Sequence, residues 1–269
     1  MKQLGIIGGG AMGSALLKGI ISRGLVRPEN IFVVEVDPAK RARLEEEHHI
    51  HGVSNLSELT ANCQILILAV KPNIIPRVLD ELAGKVDEQY LVISIAAGIT
   101  LNALESKLQK ARVVRVMPNT PAKIGKGVSA YALGSKTIAG DDEQVTELLD
   151  CVGKVVKVPE HLLDAVTAVS GSGPAYVFYF IEAMIDAAVM IGLSRADAVV
   201  LVRETFLGSA ELLRETAEEP AKLRNEVTSP GGTTAAALFE LQQGACAGVI
   251  MKAVAAAAQK SKELGHAHE

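Results

Sequence analysis

Six residues near the start, Gly8-Gly9-Gly10-Ala11-Met12-Gly13, restrict the fold of this chain more than any other stretch. They supply G-x-G-x-x-G directly after an apolar run, Leu4-Gly5-Ile6-Ile7, and at the head of a segment with helical periodicity, Ala11 to Arg23. In that setting each glycine has its own task. The first makes a tight turn, the second lets a pyrophosphate approach the backbone, and the third lets helix and strand pack closely. The helix start adds unpaired N–H groups and the positive end of a dipole. The expectation is a dinucleotide-binding unit with Gly8, Gly10, Ala11, Met12 and Gly13 around the phosphates. A plain glycine turn would need neither the strand before it nor the helix after it.

The rest of the first half repeats this alternation. Ile31–Val34, Ile65–Ala69, Tyr90–Ser94 and Val113–Val116 read as buried strands, with helical periodicity between them, as in Asp37–His48. Near-continuous apolar strands alternating with helices predict a parallel sheet covered on both faces. Two further short strands are expected near Gly127–Leu133 and Lys154–Val158. After about residue 160 the strand pattern stops, and Ala-rich helical segments follow, broken near 170–174, 192–194, 229–232 and 244. The fold class is therefore α/β: a Rossmann-like dinucleotide-binding domain over residues 1–159, then an all-helical domain over 160–269. His161 to Leu213 is apolar nearly all round, which calls for another surface to bury it. A second copy of the chain supplies that surface most simply, so at least a dimer is expected.

Charge and cysteine content narrow the function. Lys and Arg number 27 against 31 Asp and Glu, a net −4, so no basic face is set aside for nucleic acid or acidic lipid. The start turns glycine-rich before a secretory apolar region is complete. The apolar stretch Ala175–Leu193 carries Glu182 and Asp186, which favours a helix packed in protein over a membrane span. Three widely spaced cysteines, Cys63, Cys151 and Cys246, read as reduced thiols of a cytoplasmic protein, more as small core residues than nucleophiles. His48-His49-Ile50-His51 reads as the solvated end of a charged helix, without spacing suited to zinc, and His266 and His268 as a disordered tail. No metal is expected.

Several peptides beyond the glycine loop carry chemistry. Glu35 closes the second strand 22 residues after Gly13, where a carboxylate accepts hydrogen bonds from an adenosine ribose and repels a 2′-phosphate. Lys40, Arg41 and Arg43 lie near enough to offset that charge. Ala69-Val70-Lys71-Pro72, Ser94-Ile95-Ala96-Ala97-Gly98 and Met117-Pro118-Asn119-Thr120-Pro121 each follow a strand, and jointly they read as one wall of a crevice. Thr228-Ser229-Pro230-Gly231-Gly232-Thr233-Thr234 precedes a helix and combines flexible backbone, hydroxyls and a helix start. A carboxylate cradle and an ordinary hydroxyl-capped helix are both open on that chemistry.

AVKP at 69–72, SIAAG at 94–98, MPNTPA at 117–122, SGSGPAY at 170–176 and TSPGGTT at 228–234 together resemble pyrroline-5-carboxylate reductase. They occur in that family's order and approximate spacing over nearly the whole chain. The resemblance implies a Rossmann domain, a helical dimerisation domain, and NADPH- or NADH-dependent reduction of a cyclic imine to proline. It implies that Ala69, Val70, Lys71, Pro72, Ala96 and Ala97 line the cofactor cleft, and that Met117, Pro118 and Asn119 lie nearer the nicotinamide. It matches Asn55 to an asparagine contacting the cofactor. It gives the substrate carboxylate to Ser229, Gly231, Gly232 and Thr233, with Thr234 at the ring nitrogen as the catalytic hydroxyl. Glu35 departs from the family's more usual small polar residue, which puts a strict NADPH preference in doubt. The family often builds rings of dimers.

Three other readings stand beside it. A 3-hydroxyacid dehydrogenase shares the two-domain plan but needs a lysine early in the second domain, and none occurs between Lys157 and Lys222. A reductase acting on another cyclic imine differs only in pocket shape. A non-catalytic dinucleotide sensor would have no use for the hydroxyl-rich loop at 228–234.

Overall fold

The computed structural model describes residues 3–266. The chain divides into two compact units, one of residues 1–172 with 257–269, the other of residues 173–256.

The first unit is built on eight strands: β1 (Leu4–Ile7), β2 (Ile31–Val34), β3 (His51–Val53), β4 (Ile65–Leu68), β5 (Leu91–Ser94), β6 (Arg112–Met117), β7 (Gly127–Leu133) and β8 (Gly153–Lys157). They lie in the order β3-β2-β1-β4-β5-β6-β7-β8. Helices α1 (Ala11–Ser22), α2 (Pro38–His48), α3 (Leu56–Asn62), α4 (Ile75–Leu82), α5 (Leu101–Lys107) and α6 (Asp141–Asp150) connect them. Successive side chains on a strand point to opposite faces, and both faces are apolar here. Leu4, Ile6, Val33, Ile65 and Ile67 pack with Leu16, Leu17 and Leu149 on one side. Ile7, Val34, Leu66, Leu68 and Val92 pack with Leu59, Leu79 and Leu104 on the other.

The sheet departs from an all-parallel one at β7, which runs antiparallel to β6, with Met117 opposite Ala130. Only nine residues separate Met117 from Gly127. A parallel crossover needs a dozen or more, so the chain turns back. The longer link through α6 then returns β8 parallel to β7. The strand β3 is also unforeseen. The helix α2 stops at His48, His49 takes a left-handed conformation, and His51 opens β3 with its ring stacked on Phe32 at 4.6 Å. The histidine run is thus not one solvated helix end, and the His48 side chain is only 13% exposed. His266 is the last residue of the C-terminal helix rather than part of a loose tail, and His268 lies outside the described residues.

Two ion pairs tie helix and turn to the sheet. Arg112 donates to the carbonyls of Glu88 and Gln89, both at 3.0 Å, and to Asp141, whose second oxygen accepts the Ile138 N–H. Both side chains of the pair are buried. Arg115 donates to Glu160 at 3.1 Å, and the same Glu160 oxygen accepts the Leu101 N–H, joining β6, the start of α5 and the chain leaving the sheet.

After a short helix α7 (Leu163–Val166) and a π-helical turn (Thr167–Gly171), the second unit takes in α8 (Gly173–Met190), α9 (Arg195–Thr216), α10 (Pro220–Glu226), α11 (Thr233–Gln243) and the first part of α12 (Cys246–His266). Its core is nearly absent. Ala198 and Val202 are its buried apolar residues, while Phe178, Tyr179, Leu201, Phe239 and Met251 are each more than half exposed. The apolar stretch Glu160–Met190 is long enough by composition to cross a membrane.

Two expectations follow for the first unit. Asp141→Ala leaves a buried guanidinium unpaired and should cost about 3 kcal/mol, read as a lower urea midpoint at unchanged slope. A loss below about 1 kcal/mol would show that water or a neighbour replaces the carboxylate. Burial pushes the Cys63 and Cys151 thiols up to about 12. At pH 8 a disulfide reagent such as DTNB should therefore leave both unmodified until the protein unfolds, and labelling faster than unfolding would contradict this.

Candidate active site

The carboxyl ends of β1, β2, β4, β5 and β6 form one edge of the sheet. The chain order reverses between β1 and β4, which is where ligands collect in open α/β sheets. The parallel ladder runs one residue past each strand before the backbones part. Gly8 N–H donates to the Val34 carbonyl, Ala69 N–H to Ile7, and Ile95 N–H to Leu68. Beyond that point the chain opens into loops, and the residues singled out from the sequence lie on them.

Gly8 has φ +106°, a conformation that side chains resist, and a Cβ there would meet the Ala69 carbonyl oxygen at 2.7 Å. A Cβ on Gly13 would come within 2.1 Å of the Gly8 carbonyl oxygen. A Cβ on Gly10 would meet nothing, so that residue faces open space. The first helical bond of α1 runs from Ser14 N–H to the Gly10 carbonyl, and no side chain caps the helix. The amides of Ala11, Met12 and Gly13 therefore stand ahead of the ladder as donors. This is a cradle that fits a pyrophosphate: exposed backbone, free N–H groups and a positive dipole end.

Glu35 lies at the end of β2 and is mostly buried. Its Oε2 accepts the Gly9 N–H at 3.2 Å and its Oε1 accepts the Asp37 N–H at 3.0 Å. Arg41 donates to the Glu35 carbonyl at 2.9 Å. The carboxylate thus braces the glycine loop against the β2–α2 turn, a role that the strand-end position alone did not reveal.

The other strand ends complete the edge. Lys71 is exposed ahead of a 3₁₀ turn, Pro72–Ile74, behind Ala69 and Val70. Ala96 is buried and Ala97 exposed. Pro118 and Asn119 are buried, and Asn119 Oδ1 accepts the Val128 N–H at 2.9 Å, which fixes the turn into β7. Met117 packs against Gly171. Asn55 is the N-cap of α3, its Oδ1 accepting the Glu58 N–H at 2.9 Å.

Ser229, Gly231, Gly232, Thr233 and Thr234 come together in the second unit at the start of α11. Gly231 has φ +66°, and Gly232 N–H donates to the Ser229 carbonyl at 3.0 Å, closing a tight turn. Gly232 is the N-cap, and no side chain caps the helix. Despite three hydroxyls within reach in sequence, the first-turn amides are left to other acceptors. Thr228, by contrast, donates back to the Arg224 carbonyl at 2.6 Å and belongs to the end of α10.

Residues 160–264 match the family model for pyrroline-5-carboxylate reductase dimerisation, and residues 3–98 match that for NADP oxidoreductase, coenzyme F420-dependent. A pyrroline-5-carboxylate reductase from Synechocystis is 43% identical, over 98% of each chain. A solved pyrroline-5-carboxylate reductase from Coxiella burnetii matches with a TM-score of 0.93 at 34% identity, covering 98% of both chains. The Plasmodium falciparum pyrroline carboxylate reductase solved with NADP bound matches at 0.87 with 35% identity, again over 98% of both. The chain belongs to the pyrroline-5-carboxylate reductase family, NAD(P)H-dependent oxidoreductases that reduce a cyclic imine in the last step of proline biosynthesis.

Proposed function

We propose that this chain performs that reduction by positioning, with a cofactor half (1–159) and a helical half (160–269) that holds the substrate. The observation that carries the reading is the helix α11, which opens with unclaimed amides and an uncapping glycine where hydroxyls are at hand. The Gly231 and Thr233 amides and the Ser229 hydroxyl hold the substrate carboxylate, with Gly232 closing the turn between them. Thr234 orients the ring nitrogen through its hydroxyl and assists its proton without serving as an obligatory acid. Gly8, Gly10, Ala11, Met12 and Gly13 hold the pyrophosphate, and Glu35 accepts the adenosine ribose. Ala69, Val70, Lys71, Pro72, Ala96, Ala97, Met117, Pro118 and Asn119 line the cleft, with Asn55 at its side. The dinucleotide, when bound, supplies the hydride. The protein's own share is orientation, since a protonated imine is already electrophilic.

The exposed apolar faces of the second unit are met by a second copy, giving a homodimer through the helical domain and, as a further step, a ring of dimers. Lipid is a poorer match than protein for helices that carry Glu182 and an Asp186–Arg195 ion pair at 2.8 Å. The three unpaired cysteines suit a cytoplasmic setting.

The test follows cofactor absorbance while the protein reduces pyrroline-5-carboxylate with NADH and with NADPH. Rapid oxidation of either supports the reading, and none, despite demonstrated cofactor binding, overturns it. Thr234→Ala should lower turnover by roughly tenfold or more and leave dinucleotide affinity unchanged, so a fully active variant would remove the hydroxyl from the mechanism. Glu35→Ser should move preference toward NADPH, measured as the ratio of kcat/KM values. Unchanged kinetics with both cofactors would sink that role for the carboxylate.

A further inference from the structure

The chain leaves the sheet along α7 and enters the π-helical turn Thr167–Gly171, closed by the Ser172 N–H donating to the Thr167 carbonyl at 2.8 Å. Single π-turns are rare, and many stand at functional sites. This one is firmly placed. Leu163 and Ala168 are fully buried, Thr167 Oγ1 donates to the Leu163 carbonyl at 2.8 Å, and Ser170 Oγ donates to the Val166 carbonyl at 3.1 Å. Gly171, the last residue of the turn, is not in the left-handed region, so its backbone does not call for glycine. A glycine in a helical turn is destabilising relative to alanine. What it supplies here is space. A Cβ at position 171 would overlap the terminal methyl of Met117, while the next nearest atom, Thr167 Cγ2, stands at an ordinary 3.7 Å.

Met117 ends β6 at the carboxyl edge of the sheet. Its backbone is fixed by pairing with Ala130 and by the Asn119–Val128 bond just beyond it. Its side chain packs on the apolar cluster that includes Ala96, Ala130 and Leu163. Methionine has three rotatable bonds, so a fixed backbone does not by itself fix its end. We propose that Gly171 is a positioning residue for the hydride transfer: it leaves a seat in the π-turn that holds the Met117 methyl out of the nicotinamide end of the cleft. The proposal rests on the reading of Met117 as a neighbour of the nicotinamide. A methyl group at position 171 fills that seat. The buried turn does not yield, whereas the free end of the methionine does, so the fold survives and the thioether swings toward the strand end. The nicotinamide ring is then held off its place, while the pyrophosphate, at the glycine loop after β1, is untouched. Hydride transfer suffers before cofactor binding does.

The kinetics of Gly171→Ala, Met117→Ala and the double variant, with NADPH affinity from titration calorimetry, test this. Gly171→Ala should lower kcat about tenfold and leave the NADPH Kd within about twofold. In the Met117→Ala background, where no thioether is left to displace, the same change should lower kcat by less than about twofold. An equal loss in both backgrounds, or no loss in the first, overturns the proposal. If Gly171→Ala does not fold, a double variant that folds and matches Met117→Ala in kcat supports the seat, and one that does not fold overturns it. A second readout needs no turnover. The chain has six methionines, and in protein carrying methyl-labelled methionine the Met117 resonance is the one lost in Met117→Ala. It should move in Gly171→Ala, and a resonance that stays in place overturns the seat. If the wild-type protein reduces no pyrroline-5-carboxylate, the reductase reading fails and takes the hydride-transfer role with it, and the methyl resonance decides the seat alone.

Discussion

A Cβ at position 13 would sit 2.1 Å from the carbonyl oxygen of Gly8, and α1 can begin that close to the end of β1 only because none is there. The consequences run outward from this approach. It brings the amides of residues 11–13 to the sheet edge, where β1 and β4 part and leave room for a ligand. It also fixes the line of α1 over the sheet, so that Leu16, Leu17 and Ile20 bury against Leu4, Ile6 and Ile65. Each of those large apolar side chains contributes about 1.5–3 kcal/mol when fully buried. The core therefore enforces the loop geometry, and the loop does not have to hold itself.

Glu35 adds an electrostatic constraint to that geometric one. A carboxylate that accepts the Gly9 and Asp37 amides has used part of its capacity inside the protein, and in the proposed reading ribose hydroxyls take the rest. Its negative charge nevertheless stays at the strand end. In the proposed reading the Glu35 carboxylate opposes a 2′-phosphate, and Arg41, which donates to the Glu35 carbonyl, sets positive charge beside it.

The parts of the fold legible in the sequence are those set by local pattern. The five parallel strands of the cofactor crevice and the glycine turn were readable because continuous apolar runs and G-x-G-x-x-G each have one physical meaning. The direction of β7 was not, because nothing in its residues distinguishes parallel from antiparallel pairing; the short link after Met117 decides it. The strand β3 escaped because three residues, His51-Gly52-Val53, are too few to show a period, and a histidine run hides the end of α2. At the site, the helix start at Thr233 was visible, but the absence of a hydroxyl cap there was not, since Ser and Thr before a helix usually cap it. Between α1 and α2 a concavity lined by Lys18, Lys40, Arg43 and His48 is only half legible in the sequence. Lys40 and Arg43 drew notice, whereas Lys18 and His48 meet them only through the tertiary packing of two helices.

The helical unit carries the last link between packing and chemistry. A group of helices whose buried apolar residues are Ala198 and Val202 cannot offset its own conformational entropy, which is about 1–2 kcal/mol per ordered residue for the backbone alone. The stabilising burial has to come from outside that unit, and residues 160–264 match a dimerisation domain. The turn at 229–232 and the open start of α11 are therefore only as well ordered as the surface that covers the neighbouring helices. A hydride transfer that depends on orientation is sensitive to such order, because a shift of about 1 Å at the reacting atoms can cost on the order of a hundredfold in rate. In the proposed reading, where the turn at 229–232 holds the substrate, assembly is thus a condition for that turn to work, not a decoration on an enzyme already complete.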